Sequence, residues 1–491
     1  MLTLTDVVVS GILFVTAFYL WSIRRSTENN PNGLHFPPGP PTLPVIGNLL
    51  DVGDDAPWLD YSTLSAKYGD IMHFKIMNLH VVVLSSMEII ADLFEKRGAI
   101  YSDRYQSTML TELMDMKTAV DLTNNDDRLR RYRTIFQQHY SPAALRKYDD
   151  VQFEITRILL KRLKSSPGRF YDHTRFFFAS LIMTITYGVH IEDESNEYLI
   201  QAEEWQYGFN QAAQPGRFWV DYLPFLKYVP AWLPGAQFQR LAAGWRQNMY
   251  NARDLPYNFA KASMEEGSAQ PSVVTSILDT LGNTHIEEKQ DLEIRWALAT
   301  AFGAGVDTNS PTLHVFFYAM LTHPEFQKRA QAELDRVVGS SRLPTLEDRP
   351  NLPYIEAVLK EVLRWEPVTP FALPHTTTSN DEYRGYYIPK GAVVLGNAWH
   401  ILHDPVEYPC PEQFRPHRFL NDDGTMNKDI LDPSVVAFGI GRRICPGRFL
   451  SSNSLFISMS SILHTFNIVP ALDADGKPIK AEFRLKPGMI W

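Results

Sequence analysis

Cysteine is scarce in this 491-residue chain, and one of its two copies sits where a thiol can do chemistry. Cys445 lies in Phe438-Gly-Ile-Gly-Arg-Arg-Ile-Cys-Pro-Gly447. Gly439 and Gly441 permit a tight loop with positive φ and let the backbone come close to a flat ligand. Pro446 suits the first position of a helix. The thiol is therefore expected at a helix N-terminus, where free N–H groups and the dipole lower its pKa. A thiolate held this way, with one face open, suits axial ligation of haem iron, and Arg443 is spaced to meet a haem carboxylate. A core cysteine beside a glycine turn is the competing reading of Cys-Pro-Gly taken alone.

Two further constellations stand upstream. In Ala304-Gly-Val-Asp-Thr308 an acid and an alcohol are adjacent, and the glycines beside them loosen helical hydrogen bonding and make room for a ligand. A buried pair of this kind can relay protons from solvent to bound dioxygen. Read without context, such a cluster near glycine more often marks a helix cap. Glu361 and Arg364 lie three apart, so on a helix their side chains share one face. Alone, such a pair is a solvated ion pair of little worth.

The elements that must carry these residues are mostly helical. A long helix is predicted from Glu288 to Leu321, interrupted by Gly303 and Gly305. A second opens at Pro324 and stops near Gly339, and a third runs from Tyr354 to Trp365, ended by Pro367. Late helix is expected from Pro446 to about Thr465. Ile71–Ser85 reads as a hairpin turning at Met77-Asn78, and Tyr383–Leu395 as strands around Ile388-Pro389-Lys390-Gly391. No repeat or second linker appears after Gly47, so the body reads as one large domain.

The N-terminus has a different character. Val7–Ile23 carries no charge, and its 17 residues reach ~25 Å as a helix, enough for a bilayer core once flanking residues help. Arg24 and Arg25 follow directly, which keeps the body cytosolic. A signal peptide fits poorly, because Asp6 and no basic side chain precedes the apolar run. Five prolines between Pro37 and Pro44 stiffen the segment after it. The expected organisation is an anchor over 1–25, a polar and Pro-rich hinge over 26–47 and a catalytic body over 48–491.

Composition excludes several classes. Apolar residues are 45% and charged residues 21%, which is globular rather than disordered. Two cysteines rule out a disulfide-stapled scaffold and any four-cysteine zinc or iron–sulfur site. A net charge of −9 argues against a general nucleic-acid binder.

Phe438, Gly441, Arg443, Cys445 and Gly447 complete the pattern FxxGxRxCxG, and in this the chain resembles the cytochrome P-450 family. The likeness extends over most of the chain, in the family's order and spacing. It implies the family's fold, mainly α with small β-sheets, behind one N-terminal transmembrane helix. It implies haem b, with Cys445 as metal ligand through an axial thiolate that favours O–O cleavage. Arg443 and Phe438 would contact the cofactor, as would Arg133, where Leu129 replaces the usual tryptophan, and His375. Glu361, Arg364 and Arg418 match a structural triad, with His417 replacing the usual acid. Asp307 and Thr308 match the oxygen-activation motif AGxDT and would be catalytic, with Asn309 where Thr or Ser is commoner.

The implied reaction inserts one atom of O2 into a C–H or C=C bond of a hydrophobic small molecule. Fungal secondary-metabolite tailoring is the expected setting. With no dinucleotide fingerprint in the chain, electrons come from NADPH through a membrane-bound flavoprotein reductase. The cluster Arg128, Arg130 and Arg131 is a candidate docking site for it. Met109, Leu113, Met114, Phe302, Thr369, Phe371 and Leu373 are the candidate substrate wall. The implied location is the endoplasmic reticulum membrane. The chain also ends sooner after Lys486 than is usual in the family, so a truncated or rebuilt last hairpin is expected. Two rivals stay open: a haem-thiolate isomerase or dehydratase, and a haem-binding protein without turnover.

Overall fold

The computed structural model describes residues 30–483, apart from 31, 52, 54, 55, 215 and 283–285. The proposed anchor and the chain end from Arg484 on lie outside the described residues. Among the described residues, no helix is long and apolar enough to cross a membrane.

The elements that matter for the site run in this order. Strands β1 (Ile71–Ile76) and β2 (Leu79–Leu84) form a hairpin, followed by β3 (Asp103–Arg104). Helices α1 (Asp127–Tyr140), α2 (Asp149–Ser165), α3 (Phe170–Tyr187), α4 (Glu197–Ala213) and α5 (Gln237–Glu265) come next. Then come α6 (Glu288–Thr322), α7 (Pro324–Val337) and α8 (Pro353–Trp365). Strands β4 (His375–Thr376), β5 (Asp381–Tyr383), β6 (Tyr386–Ile388) and β7 (Val393–Gly396) precede the last helix, α9 (Arg448–Thr465).

Helix α6 is the axis of the molecule. Its 35 residues span about 52 Å; the first turns are charged, and from Trp296 on apolar residues cover several faces, as a helix buried on more than one side requires. It packs against α1, α3, α4, α5, α8 and α9. Gly303 and Gly305 do not interrupt it, contrary to expectation. They let neighbours approach. A Cβ on Gly303 would lie 2.5 Å from Gln206 Nε2 of α4, and one on Gly305 would lie 2.4 Å from Ile182 Cδ1 of α3. Dense packing on both sides supplies what the glycines lose in helix propensity.

Helix α8 shows how burial changes the value of a charge pair. Glu361 and Arg364 are fully buried and joined by two hydrogen bonds of 2.8 and 2.9 Å. Arg418 Nε donates to Glu361 from a separate loop at 3.3 Å, and the backbone N–H of Arg415 donates to the same carboxylate at 2.7 Å. Arg364 also donates to the carbonyls of Leu402 and Gln413. The three residues thus tie α8 to the loops that lead into the cysteine segment. His417 takes no part in the triad and packs beside Phe326.

The five-stranded sheet has the order β1-β2-β7-β4-β3. Met77 turns the hairpin with φ +54°. Strand β2 runs parallel to β7, and the remaining pairs are antiparallel. The register of β3 on β4 sets Arg104 opposite His375. The Pro-rich segment lies along this sheet: Phe36 stacks on His73 at 4.6 Å, and the N–H of His73 donates to the carbonyl of Pro38. At Gly47 a Cβ would fall 1.8 Å from the Lys75 carbonyl oxygen, so only glycine fits that approach.

Candidate active site

A cavity of about 310 Å³ opens between α6, the cysteine segment, α1 and the segment after α8. Its size and largely apolar walls suit a cofactor or drug-sized ligand. Cys445 lines one side, and its N–H donates to the carbonyl of Phe438 at 2.8 Å, closing the loop. Gly441 has φ +66° and stands against the Phe94 carbonyl, where a Cβ would be 2.5 Å away. Phe438 also lines the cavity.

The helix after the cysteine starts later than expected. Helix α9 begins at Arg448, so Pro446 is not its first residue. Burial pushes the Cys445 thiol up, against the expected depression. The N–H of Gly447, the guanidinium groups of Arg133 and Arg448, and the N–H of Arg448 pull it back only in part. A metal ion that takes the sulfur displaces the proton outright, so the loop need not ionise the thiol by itself.

The acid and the alcohol of α6 face different surroundings. Thr308 lines the cavity, and its hydroxyl donates to the Ala304 carbonyl at 2.9 Å. Asp307 turns to α4, where Asn210 Nδ2 donates to it at 3.3 Å. Burial pushes its carboxyl up to about 6, opposed by Arg175 and by the Asn210 hydrogen bond. Arg175 is itself paired with Glu203 at 3.0 Å on the half-exposed surface. Asn309 joins α6 to α9: it donates to the Gly305 carbonyl and accepts from Ser451 Oγ at 2.5 Å.

A polar wall is built from three arginines. Arg443 donates to the carbonyls of Ser102 and Thr123, and Arg133 to that of Ile444. Arg104 is buried and donates to the carbonyls of Leu373 and Pro374, while its Nε is buried with no partner. All three line the cavity. Each guanidinium is anchored by main chain and keeps N–H groups to spare. Arg104 belongs to no motif in the sequence. Its only signal was the Tyr-Ser-Asp-Arg run, and its role appears only in the register of β3 on β4.

His375 lines the same wall and stacks on Phe94 at 4.0 Å. Its Nδ1 lies 2.5 Å from the Tyr101 carbonyl oxygen, which can only accept, so the proton sits on Nδ1. Burial holds its pKa well below the ordinary value, with Arg104 and Arg443 adding to the depression. The neutral ring offers a lone pair at Nε2. Arg104 is therefore better placed than His375 to meet a carboxylate.

Three of the seven residues expected on the substrate wall line the cavity. Thr369, Phe371 and Leu373 line the cavity, joined by Ala301, Ala304 and Val368. Met109, Leu113, Met114 and Phe302 pack into the main core instead. The arginine cluster of α1 is also used internally. Arg131 makes two 2.6 Å bonds to the buried Glu293 of α6, Arg128 stands 3.7 Å from the same carboxylate, and Arg130 pairs with Asp127 on the surface.

The donor set fits a flat, dianionic, iron-bearing ligand: one cysteine for the metal and anchored guanidinium groups, one with an orphaned buried nitrogen, for the carboxylates. A mainly helical body around such a chamber defines the haem-thiolate class. The family model for cytochrome P450 matches residues 37–489, and the chain belongs to that family. It is 43% identical over 91% of its length to cytochrome P450 monooxygenase COX2 of Coprinopsis cinerea, of which it covers 85%. It is 36% identical to cytochrome P450 monooxygenase claR of Ampulloclitocybe clavipes, over 99% of this chain and 88% of that one. To tryptamine 4-monooxygenase of Psilocybe cyanescens it is also 36% identical, over 95% and 93%. The chain is an oxidoreductase of the monooxygenase type.

Proposed function

We propose that this chain is a membrane-anchored monooxygenase that oxidises a hydrophobic small molecule in fungal secondary metabolism, with electrons passed from NADPH by a flavoprotein reductase. The observation that carries it is the apolar chamber with Cys445 on one wall and Thr308 on α6 at another. Bound haem supplies the reductive activation of O2 and the transfer of one oxygen atom. Cys445 would hold the iron, and Arg104, Arg133 and Arg443 would hold the carboxylates. Thr308 presents a hydroxyl to the chamber, and Asp307 stores the proton that passes toward it. Ala301, Ala304, Val368, Phe371 and Leu373 exclude water and orient an apolar substrate.

The name of one relative specifies a tryptamine, a small amine, and this supports the setting. The apolar run Val7–Ile23 with Arg24 and Arg25 supports a single-pass anchor in the endoplasmic reticulum with a cytosolic body. Exposed Trp219, Phe225, Tyr228 and Trp232 add an apolar segment suited to the membrane surface.

The first test is the visible spectrum of the reduced carbon monoxide complex, with Cys445→Ser as control. A red-shifted thiolate band in wild type alone is expected. Its absence from folded, haem-loaded protein would remove Cys445 as ligand. Product analysis with a co-expressed reductase and a panel of terpenoid, polyketide and indole-amine substrates then reads the substrate class.

A further inference from the structure

Glu366 is an acid in a place that destabilises it. It is the first residue past α8, where the free carbonyl ends of the helix repel an anion. It lines the same chamber as Cys445 and heads the segment that supplies Val368, Thr369, Phe371 and Leu373 to the wall. Burial pushes its carboxyl up to about 7, and Glu412 adds to the rise. Arg364 opposes the rise but gives no hydrogen bond, because its donors go to Glu361 and to the carbonyls of Leu402 and Gln413. Among the described residues, no hydrogen bond or ion pair reaches the Glu366 carboxyl.

A buried acid with no partner weakens a fold, and a glutamine of the same shape would not carry that charge. A cation brought from outside offsets the loss, which makes such an acid in a cleft a candidate binding group. The wall cations Arg104, Arg133, Arg442 and Arg443 are not among the charges that act on Glu366. Its neighbours on the wall, Val362, Leu363, Pro367 and Val368, are apolar. The other hollow that Glu366 borders, beside Trp58, Trp399 and Phe483, measures about 20 Å³ and holds one water molecule at most. A larger partner can approach only from the chamber. We propose that Glu366 selects a substrate with a protonated amine on an apolar body, the ammonium group pairing with its carboxylate. This rests on the monooxygenase reading above and narrows its substrate class. Without a ligand the carboxyl is partly protonated near neutral pH, so a cation displaces that proton as it binds. Pairing therefore strengthens as pH rises through 7 and levels off above it. A neutral analogue of the same shape gains nothing from the acid and binds alike at every pH.

The test uses haem-loaded full-length protein and two probes of one shape, phenylpentyl-trimethylammonium and its uncharged tert-butyl isostere. The quaternary nitrogen has no lone pair to offer iron, and its charge is the same at every pH. Equilibrium dialysis reads the binding of both. Wild type is expected to bind the cation about tenfold tighter than the isostere at pH 8, and to lose about tenfold in cation affinity at pH 6 as the ionised fraction falls. Glu366→Gln should erase the preference and the pH dependence while keeping its affinity for the isostere. It should also unfold at a higher temperature than wild type at pH 8 but not at pH 4, because the penalty of the raised carboxyl exists only where the acid would ionise. Glu366→Asp keeps the charge but draws it back, and should weaken binding of the cation alone. A wild-type preference that is absent, flat with pH or retained by Glu366→Gln overturns the proposal. Equal losses for both probes in Glu366→Asp overturn it too, as does an unchanged unfolding temperature of Glu366→Gln at pH 8, which would reveal a partner within the fold. The carbon monoxide spectrum separates the two levels. A missing thiolate band in wild type defeats the haem-thiolate reading, whereas a normal band with no cation preference defeats this inference alone.

Discussion

Asp307 and Thr308 are chain neighbours with separate tasks, and the fold charges stability for one of them. In the unfolded chain the Asp307 carboxyl has its ordinary pKa near 3.8, while burial raises it to about 6 in the folded protein. The folded state therefore holds the proton more tightly between these values. The penalty is absent below about pH 4, grows as pH rises through 6 and is constant above that. Asp307→Asn removes it. The variant should gain about 3 kcal/mol at most at pH 8 and nothing at pH 4, read by thermal unfolding at both values. Its product formation should fall about 10²-fold, and the inflection near pH 6 in the wild-type rate profile should disappear. Thr308→Ala should keep its fold and consume O2, but release it as peroxide in place of product. Equal product yields from wild type and either variant would show that the pair carries no protons.

At the scale of elements, charge pairs that look alike in sequence differ by burial. Glu361 and Arg364 are sealed in α8, so Glu361→Gln leaves a buried guanidinium short of its partner. A loss of about 3–5 kcal/mol is expected, with loss of haem as the loop around Cys445 loosens. Denaturant unfolding and the Soret absorbance check both. On α1, Arg131→Glu strips hydrogen bonds from Glu293 and should cost about 2 kcal/mol. Arg130→Glu faces solvent and should change stability by less than about 0.5 kcal/mol. Arg130 is thus the member of the cluster whose reversal cleanly tests reductase docking. Slower reduction at low ionic strength, recovering with added salt, is the expected result. Reduction kinetics independent of both the charge and the salt would remove α1 from the docking face.

At the scale of the whole molecule, the exposed aromatic segment and the anchor should meet the same bilayer. Trp232 is 77% exposed and Phe225 63% exposed. In full-length protein reconstituted with lipids brominated on the acyl chain, part of the tryptophan fluorescence should be quenched. Trp232→Phe should remove a share of that quenching. Identical quenching in wild type and variant would place this face away from the membrane.

Much of the fold and part of the site were legible in the chain. The hairpin at Met77-Asn78, the helices opening at Pro324 and near Tyr354, and the long helix through Thr308 all rest on local rules: turn residues, proline placement and apolar periodicity. Cys445, Arg443 and the Asp307–Thr308 pair stood in short patterns that needed no partner to be noticed. Local rules failed where packing decides. Gly303 and Gly305 read as interruptions, but neighbouring helices fill the space they leave. Phe302 and Met109 read as substrate wall, but apolar character alone cannot choose between a cavity and a core. The thiol of Cys445 read as acidic from its position near a helix, and burial outweighed that. Only the tertiary structure brought Arg104 across from His375 and closed Glu361 off from water. Those residues are far apart in the chain, and burial and electrostatic field depend on what the fold encloses, which no spacing along the sequence records.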